Sequence, residues 1–85
     1  MYQLRTSAGN PAANQFVLET KYGETFQSYR TNIAAFKDGK TYIDKYYWDY
    51  SATTGKYRNK FLGESIAETR KKIASGEYIL TNLNK

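Results

Sequence analysis

Asp38-Gly39 sits between Phe36 and Tyr42-Ile43. A dipeptide of this kind between two apolar stretches supplies the positive φ angles of a tight two-residue hairpin. It decides the reading of an otherwise ambiguous stretch. Phe26, Tyr29, Ile33 and Phe36 recur at spacings of 3, 4 and 3, which is a helical period. With the hairpin signal beside them, residues 25–37 read as strand. A bulge near Arg30–Asn32 resets the alternation, and Lys40 to Asp44 is the returning strand.

Earlier in the chain, residues 2–6 alternate and read as a short strand. Ser7 to Asn14 reads as a loop around the Asn10–Pro11 turn signal. Gln15 to Thr20, with Phe16, Val17 and Leu18, is a strand by composition. After residue 50 the pattern becomes helical. Ser51 or Thr53 caps a first helix that runs to about Leu62 and stops at Gly63. Ser65-Ile66-Ala67-Glu68 has the form of a capping box. It opens a second helix with Ile66, Thr69 and Ile73 as its buried stripe and Gly76 as its end. Tyr78 to Leu83 reads as a last strand. The predicted fold is α+β over a single domain, 1–85: an antiparallel β-meander of about four strands, two short helices and a C-terminal strand.

The core available to such a fold is thin. Only 15 of 85 residues are Ile, Leu, Val or Phe, a share that borders on disorder. Nine Tyr and Trp48 shift the balance, because an aromatic buries more area than an aliphatic. The expectation is a folded domain of marginal stability with a tyrosine-rich core.

Several chemistries are excluded or disfavoured. With no Cys there is no disulfide, zinc-thiolate or iron–sulfur site. With no His the commonest general base and metal ligand are missing. The six glycines are isolated and make no phosphate-cradling loop. Asp44 and Asp49 are the nearest thing to a carboxylate pair, but carboxylates five apart are an ordinary surface arrangement. No catalytic residue, metal or cofactor is expected, and the chain is not read as an enzyme. Residues 1–10 have no apolar signal segment and no apolar run is long enough to span a bilayer, so a cytoplasmic protein with no membrane partner is expected.

Two sets of residues stand out for binding. In Tyr46-Tyr47-Trp48-Asp49-Tyr50, four aromatics in five residues cannot all face one core. Exposed Tyr and Trp build interface hot spots and base-stacking platforms. The plainer reading is that Trp48 and one or two of the tyrosines are core, with phenolic hydroxyls reaching the surface. The second set is basic: Lys56, Arg58 and Lys60 on the first helix, Arg70, Lys71 and Lys72 on the second, within a net charge of +5. These residues could face phosphates, or form a solvated surface. On a helix, positions 56 and 60 share a face while 58 points away from it. The Leu62–Ser65 link also fits a helix-turn-helix whose second helix presents Ser65, Glu68, Thr69 and Lys72, although a plain αα-hairpin needs the same link.

Phe26-Gln27-Ser28-Tyr29, Ile33-Ala34, Tyr47-Trp48-Asp49-Tyr50-Ser51, Thr53-Thr54, Lys56-Tyr57-Arg58 and Phe61-Leu62 resemble a group of small uncharacterised proteins of bacteriophages and related mobile elements. The likeness spans Gln15 to Asn84. It implies a phage accessory protein in the cytoplasm of an infected bacterium, and carries over no functional residues. It also implies that Asp49 or Ser51 caps the first helix while Trp48 and Tyr50 anchor the crossing from sheet to helices.

The expected function is that of a non-enzymatic protein that binds a host protein or nucleoprotein complex and inhibits or modulates it, as an anti-CRISPR or other anti-defence inhibitor does. Tyr46, Tyr47, Tyr50, Lys56, Arg58 and Lys60 are its first contact candidates. The alternatives are direct DNA or RNA binding by the basic and aromatic residues, and a self-assembling structural part that pairs open sheet edges at residues 2–6 or 78–83. A monomer or small homo-oligomer is expected.

Overall fold

The computed structural model describes residues 1–85. Strands β1 (Tyr2–Arg5), β2 (Pro11–Thr20), β3 (Gly23–Ser28), β4 (Thr31–Lys37) and β5 (Lys40–Asp44) form an antiparallel meander in chain order. Helices α1 (Ala52–Leu62) and α2 (Ile66–Ser75) follow. The last strand, β6 (Tyr78–Thr81), returns beside β5 and runs parallel to it. A parallel neighbour needs a crossover, and the two helices supply it. The α+β class is as expected, with six strands in one sheet.

The additional strand comes from residues 25–37. They are two strands joined by a tight turn at Tyr29-Arg30, where Ser28 pairs with Thr31. Tyr29 and Arg30 both have positive φ, 51° and 69°. That is the geometry of a type I′ turn, which Asn-Gly satisfies without strain. Bulkier residues there cost of order 1–3 kcal/mol each, so composition gave no sign of the turn. The bulge falls at Ile33, between the Phe26–Ala34 and Gln27–Asn32 pairs. Asp38-Gly39 forms the expected hairpin, with φ of 53° and 77° and Lys37 opposite Lys40. The expected loop over 7–14 is shorter, because Pro11 pairs with Arg5 and starts β2. Proline lacks an N–H and suits a strand start. Asn14, at φ 64°, kinks β2 and accepts a hydrogen bond on its carbonyl from the Tyr29 N–H.

Alternation places one side chain per strand in a row across the sheet. On the helix-covered side the row is Tyr2, Val17, Phe26, Ala34, Ile43 and Leu80. Its four central members are buried and its two ends, on the edge strands, are exposed. Against this row α1 turns Thr54, Tyr57, Arg58 and Phe61, an i, i+3, i+4, i+7 stripe. Tyr57 packs with Ala12, Phe26 and Ile33, and the ring of Phe61 stacks 4.6 Å from Phe36. Ile73 of α2 joins the Ala34, Ile43 and Tyr78 group. Ser51 caps α1 by accepting from the Thr54 N–H, and Ser65 caps α2 by accepting from the Glu68 N–H. Gly63 and Gly76 end the helices in the left-handed conformation.

The core is less tyrosine-rich than composition suggests. Only Tyr57 and Tyr78 of the nine are buried. Small hydroxyl residues are enclosed as well: Ser28, Thr54 and Thr69 on the helix-covered side and Thr25 on the other side of the sheet. Ser28 bonds Thr54 at 2.9 Å, joining sheet to helix, Thr25 bonds Thr20 at 2.8 Å, and Thr69 donates to Glu64.

Gly23 opens β3 with φ 96°, and a Cβ there would lie 2.2 Å from the Phe36 carbonyl oxygen. Gly39 has a similar φ but open space around it. Gly23→Ala should therefore lower the unfolding free energy by about 3 kcal/mol or more, and Gly39→Ala by about 1 kcal/mol. Urea denaturation of the two variants, compared with the parent, tests this. Equal losses would show that the close approach to β4 does not matter.

Candidate functional site

The turn between β5 and α1 carries the most exposed aromatic cluster of the molecule. Asp44, at the end of β5, is fully buried. One of its carboxylate oxygens accepts from the Tyr46 and Tyr47 N–H groups, at 3.1 and 2.8 Å. The other accepts from the Leu83 N–H and the Asn84 amide, at 2.8 and 3.1 Å. The carboxylate thus ties the turn and the chain's last residues to the sheet, and is no partner for Asp49. The Asn84 side chain also bonds both the N–H and the carbonyl of Asn32, filling the place beside β4 that β5 vacates.

Held this way, Tyr46, Tyr47 and Tyr50 stand out from the surface at 62%, 44% and 46% exposure. Tyr47 is the centre of the group. Its ring lies 6.4 Å from Tyr46 and 5.8 Å from Tyr50, the latter edge-on at 82°. Lys45 lies over the Tyr46 ring at 5.2 Å. Trp48 points the other way and packs, half-buried, against both groups of core residues. It is an anchor, as the plainer reading of the sequence has it.

The basic residues do not make one patch. Arg58 is 1% exposed and lies inside the molecule. Its guanidinium donates to the Trp48 carbonyl at 2.6 Å, to the Asp49 carboxylate at 3.4 Å and to the Asn59 amide oxygen at 3.1 Å. It also stacks 5.2 Å from the Trp48 ring. Burial pushes this group below its ordinary pKa, and Asp49 works against that. The reason for its placement is the α1 stripe, where position 58 is core-facing. Lys60 reaches across to the Arg5 carbonyl at 2.7 Å, and both Lys56 and Lys60 flank the Tyr57 ring. Arg70 pairs with Asp49 at 3.1 Å, Lys72 pairs with Glu64 at 2.8 Å, and Lys71 is exposed. Of the six candidate cations one is buried and three hold internal partners. The helix-turn-helix reading meets a further obstacle, because Thr69 is fully buried.

Glu64 gathers three donors at the joint between the helices: Tyr78 at 2.6 Å, Thr69 at 2.6 Å and Lys72 at 2.8 Å. Burial pushes its carboxyl up, but the bonds from Lys72, Thr69 and Tyr78 prevail and leave it below the ordinary value. Burial and the bond to Glu64 push the Tyr78 hydroxyl up to about 12. This is a structural network that fastens α2 to β6. No three acidic side chains come together as a metal would need, and no helix is long and apolar enough to cross a membrane.

The fold defines a small α+β protein that carries an exposed tyrosine cluster. A family model described as a family of unknown function (DUF8033) matches residues 1–78, and the chain belongs to that family. No curated protein and no solved structure matches it.

The Tyr78–Glu64 bond has a pH signature. A tyrosine raised from about 10 to about 12 stabilises the fold fully below pH ~10, and the contribution is lost as pH rises towards 12. Tyr78→Phe should cost about 1 kcal/mol at neutral pH, and its stability should fall less steeply than the parent's above pH ~10. Urea midpoints across that range check it, and parallel alkaline limbs would disprove the assignment. Arg58→Met should lower stability by about 2–3 kcal/mol, since it strands the Trp48 carbonyl while Asp49 keeps Arg70.

Proposed function

We propose that the protein is a non-enzymatic accessory factor that binds a partner protein of a host machine through the Tyr46, Tyr47 and Tyr50 cluster. The observation that carries this reading is the burial of Asp44 beneath the turn. A fully bonded carboxylate fixes the backbone at Tyr46 and Tyr47, and the Tyr50 ring packs edge-on against Tyr47, so three large aromatics that contribute little to the core are held at the surface. Pre-ordered tyrosines lose little entropy on binding and bury much area, which is what interface hot spots require. The charged residues at its margin, Lys45 and Asp49, fit the polar rim of such a contact.

The resemblance to phage and mobile-element proteins supplies the setting: an infected bacterium, and a host machine as the target. An anti-CRISPR or other anti-defence inhibitor is the specific form of this reading. Nucleic-acid contact through the helix cations is the weaker form, because the internal partners of Arg58, Arg70 and Lys72 leave few of them free to meet phosphates.

The test is capture from a nuclease-treated bacterial lysate with the tagged parent and with a Tyr46→Ser, Tyr47→Ser, Tyr50→Ser variant. The parent should retain one protein in stoichiometric amount and the variant should lose at least about 90% of it, a loss of about 1.4 kcal/mol or more. The two should melt within a few degrees of each other. Equal retention by both would overturn the assignment of the contact to the tyrosines. A partner that disappears with nuclease would overturn the protein-binding reading.

A further inference from the structure

The side of the sheet that the helices leave open has a pattern of its own. Its residues alternate with the core row and form two further rows. One is Gln3, Phe16, Gln27 and Asn32. The other is Leu18, Thr25, Ala35, Tyr42 and Ile79, and crosses five strands. The rows lie about 7 Å apart, two residues along each strand. Thr25 and Ala35 are fully enclosed, so larger neighbours close over the middle of the face and the openings lie to either side of it. Two hollows open there. One, of about 330 Å³, is lined by Phe16, Gln27 and Arg30 together with Met1 and Asn14. The other, of about 440 Å³, is lined by Lys21, Tyr22, Lys37, Tyr42 and Thr81.

The charges on this side are of one sign. Lys37 and Lys40 pair opposite each other beyond Ala35 and Tyr42, and Lys21 and Arg30 stand at the hollows. Lys37 donates to the Lys21 carbonyl at 2.9 Å, an exposed bond that a phosphate would have to replace. Glu19 and Glu24 alternate to the helix-covered side with Val17 and Phe26. Asp44 is buried and fully bonded, and Glu77 lies near Lys72 of α2. The remaining exposed carboxylate near the face is Asp38, in the turn at its margin.

We propose that this open face binds a single strand of nucleic acid, with bases stacking on Phe16 and Tyr42 and phosphates meeting Arg30, Lys21, Lys37 and Lys40. Aromatic residues set into a sheet with cations around them are the parts a single-strand platform needs, since every unpaired base has a stacking face. A paired duplex cannot offer its bases to a surface of this kind. A second copy of the chain is disfavoured as the occupant because it would bring like charges together.

The strained turn is the independent sign. Tyr29 and Arg30 occupy left-handed positions that Asn-Gly would fill without strain, and both are exposed. They contribute nothing to the core, and strain kept where packing gains nothing points to a role in contact. The turn borders the Phe16 hollow and presents Arg30 to it. This site is separate from the tyrosine cluster of residues 46–50 and does not depend on the reading of that cluster.

The experiment is fluorescence anisotropy with labelled oligo(dT), oligo(U) and a duplex, each about 16 nucleotides long, the upper site size of a single small fold. The intact protein should bind single strands saturably at low salt and at least about tenfold more tightly than duplex, a gap of about 1.4 kcal/mol. The preference between oligo(dT) and oligo(U) identifies DNA or RNA as the ligand. Neutralising three to five phosphates should give a slope of log K against log salt of about −2 to −3.5. Tyr42→Ser should weaken binding about tenfold. The Lys37→Gln, Lys40→Gln pair should make the slope shallower by about 1.4. The Tyr29→Asn, Arg30→Gly pair should raise the melting temperature yet weaken binding, so its loss is not one of folding. The Tyr46→Ser, Tyr47→Ser, Tyr50→Ser variant should bind as the parent does. Absence of saturable single-strand binding at the lowest salt would overturn the proposal. So would equal affinity for duplex, unchanged affinity in the face variants, or a solution dimer that Tyr42→Ser splits into monomers.

Discussion

The buried guanidinium of Arg58 ties the segment that leaves β5 to the first helix. It projects from α1, bonded to the Trp48 carbonyl and to Asp49, with the Trp48 ring beside it. Those contacts hold the segment that leaves β5 against the helix that follows it. Trp48 in turn touches both groups of core residues. The two terminal nitrogens of Arg58 are bonded while its Nε is buried without a partner, and burying the whole charge unpaired would cost several kcal/mol. The bonding requirement therefore fixes the path of residues 48–59 in a way that a leucine at position 58 would not. A chain with few aliphatics obtains specificity here from polar geometry.

The same logic recurs where the layers meet. Ser28 and Thr54 bond across the sheet–helix interface, and Glu64 draws α2 and β6 together through Thr69, Lys72 and Tyr78. Asp44 performs the corresponding task at the end of β5, where the sheet would otherwise fray. Each of these polar groups sits at a junction between elements. The apolar row of Val17, Phe26, Ala34 and Ile43 supplies the burial, and the junction groups determine how the helices and the final strand are placed on it.

Much of this arrangement was legible in the sequence. The Asp38-Gly39 hairpin, both helices with their serine caps and glycine stops, and the final strand follow from local chemistry. The open sheet edges fell where the short first and last strands were expected. The hairpin at Tyr29-Arg30 was hidden because its residues contradict the turn they form. Arg58 was legible as core only through the i, i+3, i+4, i+7 spacing of Thr54, Tyr57, Arg58 and Phe61, a pattern that its charge obscures. Helical spacing set position 58 apart from Lys56 and Lys60, and Arg58 is the one of the three that is buried. The exposure of Tyr46, Tyr47 and Tyr50 was legible by exclusion, since so dense an aromatic run has no core to fill. The open sheet face was not legible, because its rows draw on all six strands, whose register only the fold defines.

The departures from local rules are therefore of two kinds, and burial separates them. Arg58 and Asp44 break the rule that charges stay outside, and each is compensated by bonds that the fold needs. Tyr29 and Arg30 keep a strained turn at the surface, its Tyr29 N–H bonded to Asn14 but its side chains outside the core, and the tyrosines of 46–50 leave apolar area exposed although their rings touch one another. A sequence free to drift would replace the first turn by Asn-Gly and the second cluster by smaller polar residues, gaining stability and solubility. Stability alone accounts for the first kind and gives no reason for the second. The second kind is where contact with another molecule is the economical explanation, and it occurs at two separate places on this small protein.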